Sequence, residues 1–188
     1  LIKFPLFIKP FNGGGRIGVA PHSIVSNFKD FEKKVLDIDL NQHSSSIAET
    51  YLSGKEYTVG IIQDDLSKSL IAMPIEIIVK KNSNGNRILD YNIKKNDLEK
   101  MCIIKDPIIF EKVSELAKFA FHLLKGRLFG RIDIKMDDKG IPNFIEANLM
   151  PGLQKGYFYR SCSMNLKINY EQMITKISQN ALNHPRKY

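Results

Sequence analysis

The chain has 188 residues, 43% of them hydrophobic and 26% charged, which suits one globular domain or two small lobes sharing a core and excludes disorder as the starting expectation. No apolar run reaches the roughly 18 residues of a membrane span, so no membrane partner is expected. The net charge is +8, but the lysines come in ones and twos, a balance that fits anionic small molecules such as nucleotides better than the clustered patch of a nucleic-acid binder. No basic leader with a cleavage site argues for secretion. Cys102 and Cys162 stand far apart without a CxxC, which fits a reduced compartment and a cytoplasmic location. His22, His43, His122 and His184 show no metal-ligand spacing such as HExxH. The chain opens without Met, inside what reads as a strand, so it reads as a fragment of a longer protein.

"FPLFIKP" predicts a short apolar strand ending at Pro10, and "FNGGGRIGVA" a glycine-rich loop returning into a second strand. "SNFKDFEKKVLDI" predicts a helix capped by Ser26 or Asn27, with Phe28, Phe31 and Val35 on one face. "SSIAETYL", "EYTVGIIQDD" and "SLIAMPIEIIVKK" predict strands, Pro74 pointing to an edge or a bulge in the last. Residues 82–107 are polar and aperiodic and read as a long loop. "IIFEKVSELAKFAFHLLK" predicts a helix with Phe110, Val113, Leu116, Ala117, Ala120, Leu123 and Leu124 in one stripe. A hairpin over 131–148 follows, then a helix over 170–182 with Tyr170, Met173, Ile174, Ile177 and Ala181 inward. The order predicts an α+β fold, an antiparallel sheet with helices on one face.

The hairpin "RIDIKMDDKGIPNFIEANLMPG" carries the chemistry. Residues two apart on a strand share a face, so Arg131, Asp133 and Lys135 lie together, as do Phe144, Glu146 and Asn148. A two-residue loop at 139–140 would pair Asp133 with Glu146, and a four-residue loop at 137–140 would pair Arg131 with Glu146. Both registers bring the polar faces together, whereas a three-residue loop with a bulge could break that match. Two carboxylates and an amide are hard-oxygen ligands that suit Mg²⁺ and, without Cys or His, do not suit zinc. A guanidinium at Arg131 beside such a site would stabilise charge on a transferring phosphoryl group. The alternative is a salt-bridged hairpin facing solvent, which spacing alone leaves open.

"GRIDIKMDDKGIPNFIEANLMPGL" resembles the C-terminal signature of ATP-grasp ligases, and most of all the D-alanine–D-alanine ligases, with "FIKPFNGGGRIGV" and "ETYLSGKEYTVGII" extending the resemblance upstream. The resemblance implies an ATP-grasp fold, with antiparallel β-sheet lobes and a nucleotide cleft between them. Residues 1–54 would be the remainder of the small lobe with its glycine-loop lid, and residues 55–188 the large C-terminal lobe. Lys9 matches the lysine that contacts the ATP phosphates, and Gly13, Gly14 and Gly15 the lid over them. Glu49, Tyr51 and Leu52 match the segment that holds adenine, and Glu56 the acid on the ribose hydroxyls. Asp133, Glu146 and Asn148 match the ligands of two Mg²⁺ ions, and Arg131 the arginine that stabilises the transition state. The implied reaction is ATP-dependent carbon–nitrogen ligation through an acyl phosphate. The implied partners are ATP and a small amino-acid or peptide substrate, with a homodimer as a further expectation.

The pattern departs from the family around the substrate. Gly13, Gly14, Gly15 and Arg16 stand where those ligases carry an acid, a glycine and two serines. Lys94 matches the lysine of a Lys-Tyr pair, with Lys95 in the tyrosine's place. Tyr157 stands where a serine holds the second D-alanine's carboxylate, and Arg16, Lys155 and Arg160 are candidates to hold a different one. Three functions follow: a ligase with an altered substrate, a D-alanine–D-alanine ligase proper, or a non-catalytic ATP-grasp or basic nucleic-acid-binding module.

Overall fold

The computed structural model describes residues 3–12, 17–64, 67–80, 85, 89, 93, 96 and 98–183. The chain divides into two units, the first made of Leu1–Ser53 and Val79–Lys100, the second of Gly54–Ile78 and Met101–Tyr188. The segment 79–100, expected with the large lobe, groups with the first unit; within it Val79 and Leu89 are buried.

In the first unit, β1 (Leu6–Pro10) lies between β2 (Ile24–Val25) and β3 (Ser46–Thr50), both antiparallel to it. The return strand expected at "GVA" is displaced to Ile24–Val25, behind a 3₁₀ turn at Pro21–Ser23. Helix α1 (Phe28–Gln42) starts where the side chain of Asn27 accepts the Asp30 N–H, and it runs longer than the expected helix. Ile38 joins Leu6, Ile8 and Val25 in the core, with Phe31 and Val35 packed against them. Phe28, placed on the inward face by sequence spacing, is exposed and stacks on Phe31.

The second unit is a five-stranded antiparallel sheet in the order β6-β5-β4-β7-β8. The strands are β4 (Glu56–Gln63), β5 (Leu70–Ile78), β6 (Lys100–Ile103), β7 (Phe129–Met136) and β8 (Pro142–Asn148). Strand β6 occupies part of the stretch read as loop, so β5 is not an edge strand; Pro74 sits in unbroken register opposite Val59, without the expected bulge. Its carbonyl accepts instead from the Asn165 side chain.

Helix α2 (Pro107–Leu123), capped by Asp106, covers one face. Val113, Ala117 and Phe121 meet Tyr57, Val59, Ile61, Ile132, Ile134 and Met136 there. Leu123 and Leu124, assigned inward from the sequence, are exposed, and Phe121 takes the buried place. Its ring lies so close to Gly126 and Gly130 that a Cβ at either would come within 2.5 Å of it. Burying such a side chain contributes about 2–3 kcal/mol. Helices α3 (Tyr157–Leu166) and α4 (Tyr170–Asn183) cover the other face, where Phe158, Cys162, Met173 and Ile177 pack with Ile62 and Met73. Helices on one face alone are therefore not what the sheet carries: β4 sends Tyr57, Val59 and Ile61 to one core and Ile62 to the other. Helix α3 was not legible in the sequence, and at the end of α4 the buried position belongs to Asn180, not Ala181. Asn180 donates to the Gln63 carbonyl at 2.6 Å. Cys162 is a core residue whose thiol burial pushes up to about 12, too high for a nucleophile.

Candidate active site

The functional side chains of the second unit form rows across β4, β7 and β8. Thr58, Asp133 and Glu146 make one row, and Gly60, Arg131 and Asn148 the next. Glu56 and Lys135 make a third. Cross-strand neighbours stand about 5 Å apart and same-face neighbours along a strand about 7 Å, a patch on the scale of one or two cations.

This register comes from a bulge in β8. The connection between β7 and β8 spans five residues, 137–141, and pairs Met136 with Pro142 and Ile134 with Phe144. Continued unchanged, it would put Ile145 opposite Asp133 and turn the polar residues of β8 to the wrong face. A register shift between Asp133 and Ile134 absorbs Ile145 and restores Asp133 opposite Glu146. Phe144 therefore pairs with Ile134 and does not share the face of Glu146 and Asn148, as strict alternation predicted. Neither the two-residue nor the four-residue loop forms. Instead the Asp137 carboxylate accepts the Lys139 and Ile141 N–H groups at 2.9 and 2.8 Å, and Gly140 takes a positive φ of 76°.

Arg131 grips Asp133 with two charge-assisted hydrogen bonds, Nε to Oδ1 at 3.0 Å and Nη2 to Oδ2 at 2.9 Å. The Thr58 hydroxyl donates to the same Oδ1 at 2.6 Å. The Arg131 and Asp133 side chains are only 11% and 8% exposed, whereas that of Glu146 is 61% exposed, with its Oε1 3.7 Å from Arg131 Nη2. Asn148 Oδ1 accepts the Met150 N–H at 3.3 Å. One acid is thus held firmly and the other presented outward. Among the described residues no three Asp, Glu, His or Cys side chains gather as a metal cluster. The oxygen donors of Asp133, Glu146 and Asn148 nonetheless share one patch, a set that fits Mg²⁺ completed by water or phosphate oxygens.

Glu56, at the start of β4, meets Lys135 Nζ at 3.3 Å. In the first unit, Lys9 on β1 meets Glu49 on β3 at 2.8 Å, and the Tyr51 N–H donates to the Pro5 carbonyl at 3.2 Å; Leu52 follows directly. Gly13, Gly14, Gly15, Arg16 and Lys94 lie outside the described residues. Of the candidate substrate residues, Tyr157 lies over Arg131, Lys155 over the Tyr170 ring, and Arg160 reaches the Met101 sulfur. Thr58 escaped the sequence reading. The available signal was alternation within β4, where Glu56, Thr58 and Gly60 are polar or small between apolar residues. That it reaches Asp133 depends on a pairing across 75 residues.

This arrangement, an Arg–Asp pair with a facing Glu and Asn on an antiparallel sheet, fits the ATP-grasp class, which the family match and the shared fold support. The match in detail is to the family described as D-ala D-ala ligase C-terminus, over residues 1–179, and the chain belongs to that family. It is 30% identical over 179 residues to a D-alanine–D-alanine ligase of Buchnera aphidicola, covering 94% of this chain and 54% of that protein. It is 26% identical over 184 residues to D-alanine–D-alanine ligase B of Clostridium perfringens, covering 97% and 56%. Among solved structures, the ATP complex of D-alanine–D-alanine ligase from Bacillus anthracis superposes with a TM-score of 0.70 at 22% identity, covering 95% of this chain and 53% of that one. The VanG D-Ala:D-Ser ligase of Enterococcus faecalis gives 0.69 at 22% identity, covering 95% and 50%. The chain thus spans about half the length of the relatives it matches.

Proposed function

We propose that this chain is the nucleotide- and metal-binding part of an ATP-dependent carboxylate–amine ligase with a substrate differing from that of its relatives. The observation that carries this is the Arg131–Asp133–Thr58 cluster with Glu146 and Asn148 in register beside it. A substrate carboxylate attacks the γ-phosphorus of ATP, giving an acyl phosphate and ADP; an amine then attacks the acyl carbon and inorganic phosphate leaves. Asp133, Glu146 and Asn148 would hold two Mg²⁺ ions, whose charge offsets that of the phosphate oxygens. Arg131 donates to the oxygens on which charge builds, held in place by Asp133 before they arrive. Lys9 contacts phosphate, and Glu49, Tyr51, Leu52 and Glu56 bind the nucleoside.

The departures at Tyr157 and Arg16 support an altered substrate. D-alanine as both donor and acceptor is the second reading, favoured by the names of the relatives. The fold does not choose between them, since a D-Ala:D-Ser ligase shares it. A screen of amino acids with full-length protein, ATP and Mg²⁺, read as phosphate release and amide product, tests the proposal. Amide formation lost in Asp133→Ala and Glu146→Ala supports it. No ATP binding, or turnover unchanged in both variants, sinks it; D-alanyl-D-alanine as the sole product establishes the second reading.

A further inference from the structure

The start of α3 is built against Arg131. The Ser161 hydroxyl accepts the Gly60 N–H at 3.0 Å and donates to the Met73 carbonyl at 2.5 Å, bridging two residues that face each other across β4 and β5. A Cβ at Gly60 would stand 2.9 Å from that of Ser161, so the glycine permits this approach. Gly60 is also the register partner of Arg131 on β7. The bridge therefore seats α3 over the row that contains the arginine. Residues four apart share a helix face. One turn before Ser161, the buried Tyr157 sets its ring 5.6 Å from Arg131 Cζ, within cation–π range. Asp133 takes Nε and Nη2 of the guanidinium, and Nη1 makes no hydrogen bond among the described residues.

We propose that Tyr157 is a positioning residue for Arg131: its ring and Asp133 together fix the guanidinium so that the Nη1 edge is presented to an anionic oxygen. The role rests on the ligase reading for its catalytic consequence, though not for the contact itself. The aromatic face does this work, not the hydroxyl. In full-length protein, Tyr157→Leu should lower kcat roughly tenfold with KM for ATP little changed, and Tyr157→Phe should recover most of the loss. In an Arg131→Lys background the same Tyr157→Leu change should cost much less, because the residue it positions is gone. A parallel urea-unfolding cycle over the two positions reads the contact without turnover, and coupling is expected there too.

Additive effects in both cycles, or a Tyr157→Phe variant as impaired as Tyr157→Leu, overturn the proposal while leaving the ligase reading intact. A wild-type protein that turns over no amino acid overturns the ligase reading instead. The unfolding cycle then decides the placement of Arg131, coupling supporting it and additivity refuting it.

Discussion

Two of the charged pairs on the strands, Arg131–Asp133 and Lys9–Glu49, are built differently. Arg131 and Asp133 lie within the five-stranded sheet, nearly enclosed, joined by two hydrogen bonds, with the Thr58 hydroxyl bonded to Asp133 and the Tyr157 ring against Arg131. Lys9 and Glu49 lie on the three-stranded sheet, 25% and 42% exposed, joined by one ion pair. Desolvated charges must be fully partnered or the fold suffers, whereas a solvated pair contributes little to stability and its lysine can move to a ligand. The first arrangement suits a group that must wait in place for a transition state; the second suits a group that meets substrate.

Asp133→Ala is the strongest way to test this contrast. It strands a mostly buried guanidinium and should lower the unfolding free energy by about 3–5 kcal/mol, measured in urea. Lys9→Ala should change the same quantity by less than about 1 kcal/mol while raising KM for ATP. Equal losses from the two variants would erase the distinction. Gly54→Ala comes next: its Cβ would stand 2.6 Å from the carbonyl oxygens of both Met136 and Asp137, at the seat of the hairpin that carries Asp133, and about 1–3 kcal/mol should be lost. Thr58→Val removes one bond to Asp133 and should cost about 1–2 kcal/mol, with kcat falling more than KM rises.

The smallest effect lies in the first unit. Hydrogen bonds from Lys34 and then Asn41 hold the Asp37 carboxyl below its ordinary value of 3.8. A carboxylate with a lowered folded pKa stabilises the fold above that ordinary value, and the contribution disappears as pH falls through the lowered one. Acid titration of stability should therefore show a small drop below pH 3.8 that Asp37→Asn lacks.

How legible this was in the sequence follows the range of the contacts. The hairpin's polar residues and their face could be read from parity, because alternation is local. Its register could not, since the five-residue connection and the bulge at Ile145 depend on how Asp137 closes the turn. Thr58 and Tyr157 were not legible as neighbours of the Arg131–Asp133 pair: one arrives by pairing of distant strands, the other on a helix whose polar and aromatic sequence hides its period. Helix α2 was visible from its stripe, yet the stripe chose Leu123 over Phe121, because only the packing against Gly126 and Gly130 admits the larger ring.

On the proposed reading, the exposed carboxylate of Glu146, beside the fixed Arg131–Asp133 pair, serves the cleavage of ATP coupled to amide formation. The most direct measurement is amino-acid-dependent phosphate release by the full-length protein with Mg²⁺, compared with Glu146→Gln. One phosphate per amide formed is expected, and loss of that release in a variant whose unfolding midpoint is unchanged, as befits a side chain 61% exposed. Undiminished release from Glu146→Gln would contradict it.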